Sequence, residues 1–257
     1  MDKIDNEILY KLYLSKKNYQ IPLVRDRGFI LDEEDTRILD EDFMYQDFEK
    51  LYREKAQGKT LNIKNYFVLS IKSYDSDLDR TEILGEDYTN KPRKFLAYYC
   101  YGTGEQLKEK DITIFINELY KNDDKGTKYS EALFITNQEV NIPKLRTLNS
   151  QYTSVTFKKL DYAVWNPTEH GLSNKHTKLS VDERAKFIKD NFGDKASIKS
   201  LANKMPRILQ QDPIVSYIGA LPSDVFRILK DIETDSICDA KYEYRVAVSG
   251  MNATEGK

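Results

Sequence analysis

The chain has 257 residues, 32% of them charged, and a formal net charge of -2. That length accommodates one large or two modest hydrophobic cores, and two is the preferred count. The near-neutral balance excludes a surface that is uniformly a basic glove for nucleic acid, while leaving local contacts open.

Cys100 and Cys238 stand far apart with no second thiol at metal spacing, so neither a disulfide framework nor a zinc ribbon is expected, and a reducing compartment is. The opening Met1-Asp2-Lys3-Ile4-Asp5-Asn6-Glu7 lacks the cationic start and apolar run of a secretion signal. No apolar stretch approaches the roughly 20 residues that span a bilayer, so a soluble, intracellular protein with no membrane partner is expected.

In chain order, Ile4, Ile8 and Leu12 recur at helical spacing and predict a helix over 5–19. Pro22 follows, and then a short segment, Val24-Arg25-Asp26-Arg27-Gly28-Phe29-Ile30, that turns through its glycine. Met44, Phe48, Leu51 and Tyr52 form a second helical stripe, with Gly58 as C-cap. The apolar, aromatic and β-branched runs 66–71 and 95–101 read as central strands. The polar stretch 74–94 between them reads as a long hairpin loop or an insertion. Asp111 caps a segment, 111–120, in which helical and strand patterns compete and length favours helix. Strands are expected at 131–135, 155–157 and 160–165.

The C-terminal half carries its own punctuation. Ser180-Val181-Asp182-Glu183 has the form of a capping box, with Val181, Ala185, Ile188 and Phe192 as the apolar stripe behind it and Gly193 as the stop. Asp212-Pro213 is an N-cap followed by proline at the first helical position, with Val215, Tyr217 and Ile218 available for packing before Gly219. Segments 225–229 and 241–248 read as strands, the second placing Tyr242, Tyr244, Val246 and Val248 on one face. The expected fold class is α+β in two domains. Residues 1–155 form a mixed sheet with flanking helices, and residues 156–257 a small mixed sheet with short helices.

The order of these elements identifies a resemblance. Thr168-x-His170-x-Leu172, Lys175-His176, Leu179-Ser180-x-Asp182-Glu183, Pro206-Arg207-Ile208, Asp212-Pro213-x-x-x-Tyr217-x-Gly219 and a closing Tyr242-x-Tyr244-Arg245 strand follow one another. Together they resemble the fifth common subunit of eukaryotic RNA polymerases, whose archaeal counterpart consists of this part alone. The likeness covers 161–248; the N-terminal half is similar more faintly, through Val24-Arg25-Asp26-Arg27-Gly28-Phe29 and Leu39-Asp40-Glu41-Asp42-Phe43.

The resemblance implies a non-catalytic subunit without cofactor, metal or small-molecule substrate. Its C-terminal module would assemble on the largest subunit, and its N-terminal module would form part of a lower jaw near downstream double-stranded DNA. The residues expected to face polymerase partners are His170, Lys175, His176, Pro206, Arg207, Ile208, Asp212, Pro213 and Tyr217. Pro206 holds Met205 extended and presents Arg207, whose guanidinium suits bidentate pairing. The polar segment 166–176, broken by Pro167 and Gly171, belongs on the surface unless a partner covers it, and its histidines are expected to make structural hydrogen bonds.

The chain departs from the family in places. Asn174 stands where proline is usual, Met205 where leucine is, and a stretch at 196–204 is extra. Pro222-Ser223-Asp224 occupies the family's glycine turn before the next strand. The jaw's Thr-Pro-Ser-Ala turn corresponds at best to Asn141-Ile142-Pro143-Lys144, so Pro143, Lys144 and Arg146 are the candidates for approaching DNA phosphate. The divergent jaw, the loop 74–94 and the Lys- and Asp-rich composition suit a large DNA virus with its own polymerase, which would place the protein in the virion or a cytoplasmic viral factory. A cellular homologue would work in the nucleus.

Rival chemistries find weaker support. His170 and His176 have no acidic or cysteine ligand at zinc spacing. Asp75-Ser76-Asp77-Leu78-Asp79 with Glu86 imitates a calcium loop, but Arg80 stands where the sharp turn needs glycine. Gly102-Thr103-Gly104 lacks the third glycine of a dinucleotide loop, its place taken by Leu107. The charged residues on the helix after Ser180 read as a solvated face. The alternative function is a nuclease-like or free DNA-binding protein built on the N-terminal half. It would need Asp42, Asp47 and Lys50 to converge with a strand carboxylate, which helical spacing does not provide.

Overall fold

The structure is a computed structural model that describes residues 6–56, 66–67, 72–75, 94–102, 131–136, 155–193, 201, 203–230 and 242–248. The chain divides into two compact units, and the passage between them falls at Asn166–Pro167. The fold is α+β, with a mixed sheet in each unit.

In the first unit, α1 (Asn6–Ser15) runs into a π-helical turn (Lys16–Gln20) and on into α2 (Ile21–Asp26). The expected stop before Pro22 is therefore corrected: the helix crosses the proline. In a regular helix the proline ring would strike the carbonyl of Asn18, four residues back. The wider π turn contains that residue and relieves the clash, with Ile21 N donating to Lys16 O. The segment expected from Val24 begins inside this helix, since Val24 to Asp26 are helical. The chain then turns at Gly28, whose φ of 77° lies in the left-handed region.

Helix α3 (Glu33–Leu39) has no counterpart among the expected elements. It starts at Asp32, whose carboxylate accepts from Asp35 N at 2.7 Å, and its first turn holds Glu33, Glu34 and Asp35. Helix α4 (Tyr45–Ala56) fits the Met44–Phe48–Leu51 stripe, with Phe48 buried and Met44 exposed. Gly58 lies outside the described residues.

Strands β1 (Tyr66–Phe67) and β2 (Lys72–Asp75) both pair antiparallel with β3 (Lys94–Gly102). β3 pairs parallel with β4 (Glu131–Thr136), and β4 with β5 (Val155–Lys159). Phe95, Leu96, Ala97 and all of Ala132 to Thr136 are buried, the unbroken apolar run that parallel strands covered on both faces require. Tyr74, expected in a loop, belongs to β2 opposite Phe95.

The strand expected at 160–165 is instead a 3-10 turn (Leu160–Tyr162) followed by bends. Asp161 pins it by ion pairs to Lys11 at 3.1 Å and Lys159 at 3.0 Å. Hydrogen bonds from Lys159 and Lys11 hold its carboxyl below the usual range. Asn18 Nδ2 donates to Val164 O at 3.3 Å, tying the bend to the π turn.

A buried polar network joins the helices of this unit to the sheet. Asp35 is fully buried and pairs with Lys16 at 3.0 Å. Tyr74 donates its phenol to Asp35 in a short hydrogen bond and accepts from Gln20 Nε2 at 3.1 Å. Arg27 pairs with Glu131 at 2.9 Å and lies 5.8 Å from the centre of the Phe95 ring. Burial pushes the phenols of Tyr19, Tyr74 and Tyr99 well above their ordinary range.

The second unit is a four-stranded sheet in the order β6 (His176–Lys178), β8 (Val225–Leu229), β9 (Tyr242–Val248), β7 (Arg207–Leu209). β7 runs parallel to β9 and the other pairs are antiparallel. One core cluster gathers Leu179, Ile188, Leu201, Met205, Val225, Val246 and Val248, packed by helix α5 (Val181–Phe192). Another gathers Ile208, Val215, Ala220, Phe226, Ile228 and Ala247, packed by helix α6 (Pro213–Ile218). The period-2 alternation of β9 is visible here, because Val246 and Val248 enter the first cluster and Ala247 the second.

The apolar stripe of α5 needs one correction. Ala185 is exposed, and Phe187 joins Ile188 and Phe192 against the sheet, its ring stacked on Tyr244 at 4.4 Å. Arg184 also turns inward, to Asp224 at 3.2 Å.

A candidate docking surface

The second unit contains all the residues expected to face partners, some exposed and some built into its own structure. Residues 166–176 make no helix, and only His176, at their end, enters a strand. The segment holds its shape by local bonds. Leu172 N donates to His170 Nδ1 at 3.2 Å, Ser173 N to His170 O at 2.8 Å, and Ser173 Oγ to Pro167 O at 3.0 Å. His176 Nδ1 lies 2.7 Å from Asn174 O, and its ring meets Phe226 edge to face at 6.4 Å. Both histidines thus have structural bonds in this turn. His170 and Lys175 are exposed, and His176 is half-buried.

On the opposite edge of the sheet, Pro206 is exposed and its carbonyl accepts from Val246 N at 3.0 Å. That bond starts the parallel pairing of β7 with β9. Arg207 is exposed, with a guanidinium nitrogen 3.3 Å from Asn203 Oδ1. The proline therefore places the arginine at a fixed point on an edge strand.

Three of the expected contact residues turn out to be framework. Ile208 and Tyr217 are buried in the chain's own core, at 8% and 2% exposure. The sequence pattern hides this because β7 is too short to announce itself; in a strand of pattern exposed–buried–exposed, Ile208 must point inward. Asp212 spends its carboxylate on the N-terminus of α6, accepting from Ile214 N at 2.9 Å and Val215 N at 3.3 Å. Pro213, next to it, is exposed. Of the other six, His170, Lys175, Pro206, Arg207 and Pro213 are exposed and His176 is half-buried.

Sequence reasoning missed Asp224, which organises the sheet. Its carboxylate accepts from Leu221 N at 2.9 Å and Arg184 at 3.2 Å, with Lys178 at 3.7 Å. Its backbone joins the turn to β9, with Ala247 N donating to Asp224 O at 2.8 Å. The signal was present in Pro222-Ser223-Asp224, a turn-forming triplet ahead of a strand.

The capping box of α5 closes as its spacing requires. Glu183 N donates to Ser180 Oγ at 3.2 Å and Ser180 N to Glu183 Oε2 at 2.9 Å. The backbone hydrogen bond from Ser180 holds the Glu183 carboxyl below its ordinary range.

In the first unit, Asp47 caps the start of α4, accepting from Met44 N at 3.1 Å. Among the described residues no three His, Cys, Asp or Glu side chains are grouped to hold a metal ion. Pro143, Lys144 and Arg146 lie outside the described residues, as do 111–120, Cys238, residues 76–93 of the loop expected at 74–94, and 249–257. No helix among the described residues is long and apolar enough to cross a membrane.

The second unit is thus a compact mixed sheet with a bonded surface turn on one edge and an exposed arginine after a proline on the other. Residues 165–246 match the family described as RNA polymerase Rpb5, C-terminal domain. The chain is 24% identical over 236 residues to DNA-directed RNA polymerases IV and V subunit 5B of Arabidopsis thaliana, covering 92% of this chain and 89% of that protein. It is 22% identical over 231 residues to subunit RPABC1 of DNA-directed RNA polymerases I, II and III of Caenorhabditis briggsae, covering 90% and 94%. To the DNA-directed RNA polymerase subunit Rpo5 of Sulfurisphaera tokodaii it is 32% identical over 85 residues, which are 33% of this chain and 89% of that protein. The chain belongs to the family of the fifth subunit of DNA-directed RNA polymerases.

Proposed function

We propose that this chain is a non-catalytic polymerase subunit whose second unit docks on the largest subunit of the enzyme, while its first unit forms a lower-jaw element near downstream DNA. One observation carries the assembly reading. The archaeal relative matches only 85 residues, a third of this chain, and is nonetheless a polymerase subunit by name. What attaches such a subunit to its enzyme then belongs to the part that the two share. The outward-facing residues of that part, His170, Lys175, Pro206, Arg207 and Pro213, supply the polar rim of the docking surface, and Ile208, Asp212 and Tyr217 hold it in shape. Arg207 suits a partner carboxylate or paired carbonyls.

Co-expression with the subunits of its own polymerase tests this. The tagged full-length chain is expected to recover the largest subunit in equal amount, and Arg207→Ala to weaken that recovery. A pull-down without polymerase subunits would refute the reading. Crosslinking of the assembled enzyme to downstream duplex tests the jaw. The expected contacts come from Pro143, Lys144 and Arg146, and removal of the two cations is expected to lower crosslinking without dissociating the subunit. A gene lying among capsid genes would assign the protein to a virion or viral factory; one among nuclear genes, to the nucleus.

A further inference from the structure

Leu172 is 90% exposed, the highest value among the exposed large hydrophobic residues described. Its backbone is fixed all the same, by the bonds of its own amide to His170 Nδ1 and of Ser173 to His170 O and Pro167 O. A leucine held out to water on a bonded turn contributes nothing to the core of its own chain. It has, however, already lost the backbone freedom that binding would otherwise have to remove.

The neighbouring glycine points the same way. Gly28, Gly193 and Gly219 have positive φ, which accounts for them. Gly171 does not, and a Cβ built on it meets nothing within 4 Å. Neither conformation nor packing within this chain calls for glycine at 171. Beside an anchor, a bare backbone lets another surface approach closely.

We propose that Gly171–Leu172 is the apolar anchor point of the docking surface: Leu172 enters a hydrophobic pocket on another polymerase subunit, and Gly171 admits that subunit's wall beside it. This rests on the docking reading above. The segment lies inside residues 165–246, the part that matches the C-terminal domain of a polymerase subunit family, so the partner proposed for it is a polymerase subunit. The flanking His170 and Lys175, both exposed, give the pocket a polar rim to meet.

The test uses the full-length chain and the polymerase assembly prepared without it. Leu172→Asp and Gly171→Leu are expected to melt at the wild-type temperature, because neither site packs inside the chain, and to bind the assembly about tenfold to a hundredfold more weakly. Leu172→Met is expected to bind within about threefold of wild type, since it keeps apolar volume. A folded Leu172→Asp chain that binds like wild type overturns the anchor and leaves the docking reading intact. Loss of binding by Leu172→Met as large as by Leu172→Asp also overturns it, since the turn itself would then be the determinant. Failure of the wild-type chain to bind removes both readings.

Discussion

The two units are held together by different physics. The first buries charge: Lys16 and Asp35, at 8% and 0% side-chain exposure, pair at 3.0 Å beneath Tyr74 and Gln20, and Arg27 pairs with Glu131. The second packs two apolar clusters against one small sheet, and its described ion pairs, Arg184 and Lys178 to Asp224 and Arg245 to Glu243, are only partly buried while its helix starts are capped by Ser180 and Asp212. A buried charge is costly to leave without its partner, whereas caps are modest and nearly independent. The first unit should therefore fail abruptly when one member is removed, and the second should weaken in small steps.

The largest expected effect tests that contrast directly. Lys16→Ala leaves the Asp35 carboxylate buried without its cation and should destabilise the first unit by about 3–5 kcal/mol. Urea unfolding can follow this unit separately, because the only tryptophan, Trp165, belongs to it. The double change Lys16→Met with Asp35→Leu should recover most of the loss, since apolar replacements of similar volume remove the desolvation cost. A single-variant loss below about 1 kcal/mol would show that the pair carries little of the structure.

Alkaline pH sharpens the same contrast. The buried phenols of Tyr19, Tyr74 and Tyr99 have raised pKa values in the folded state, mainly from burial, with Asp35 adding to the effect at Tyr74 and Tyr99. The unfolded chain gives up those protons first, near pH 10. Their contribution is thus complete below pH about 10 and declines as pH rises, with a limiting slope of about 1.4 kcal/mol per pH unit for each tyrosine. Urea midpoints read from Trp165 should fall as pH is raised from about 9 to about 11, and Tyr74→Phe should flatten the fall. A midpoint independent of pH in that window would contradict the buried network.

This division also decided what could be read from the sequence. In the second unit the signals are local. Ser180 with Glu183, and Asp212 with Pro213, lie within one helical turn of each other, so they mark α5 and α6 almost to the residue. Its missed elements, β6 and β7, are three residues long, too short to show alternation, and that concealed the inward turn of Ile208. In the first unit the decisive pairs are distant. Lys16 meets Asp35, and Arg27 meets Glu131 across 104 residues, so each charge read by itself looks like surface. The π turn that carries the helix over Pro22 has no periodic signature either.

Smaller effects belong to the second unit. Ser180→Ala removes the acceptor of Glu183 N, and Asp212→Ala the acceptor of Ile214 N and Val215 N. Each should cost about 1 kcal/mol, and the two losses should add, since the caps share no partner. Thermal melting of the single and double variants checks this. Strong non-additivity would mean that the second unit, like the first, depends on a connected network.

The smallest effect, that of Ser223→Gly, concerns the turn before β8. Among the described residues Ser223 is the one non-glycine residue with positive φ, at 78°, in the position where the family resemblance places a glycine turn. The surroundings hold it there: Ser223 N donates to Ala247 O at 2.8 Å, and Asp224 clamps Leu221, Arg184 and Lys178. A side chain in this region costs on the order of 1 kcal/mol of strain, while glycine returns part of that gain through the extra freedom of the unfolded chain. Ser223→Gly should therefore stabilise the second unit by about 0.5 kcal/mol, whereas Ser223→Val, β-branched and unsuited to positive φ, should destabilise it by about 1–2 kcal/mol. The sign of the difference between the two variants, read by thermal melting, is the informative quantity. If valine were tolerated as well as glycine, the Asp224 clamp would not be fixing this backbone, and the steady, local construction assigned to the second unit would lose its clearest instance.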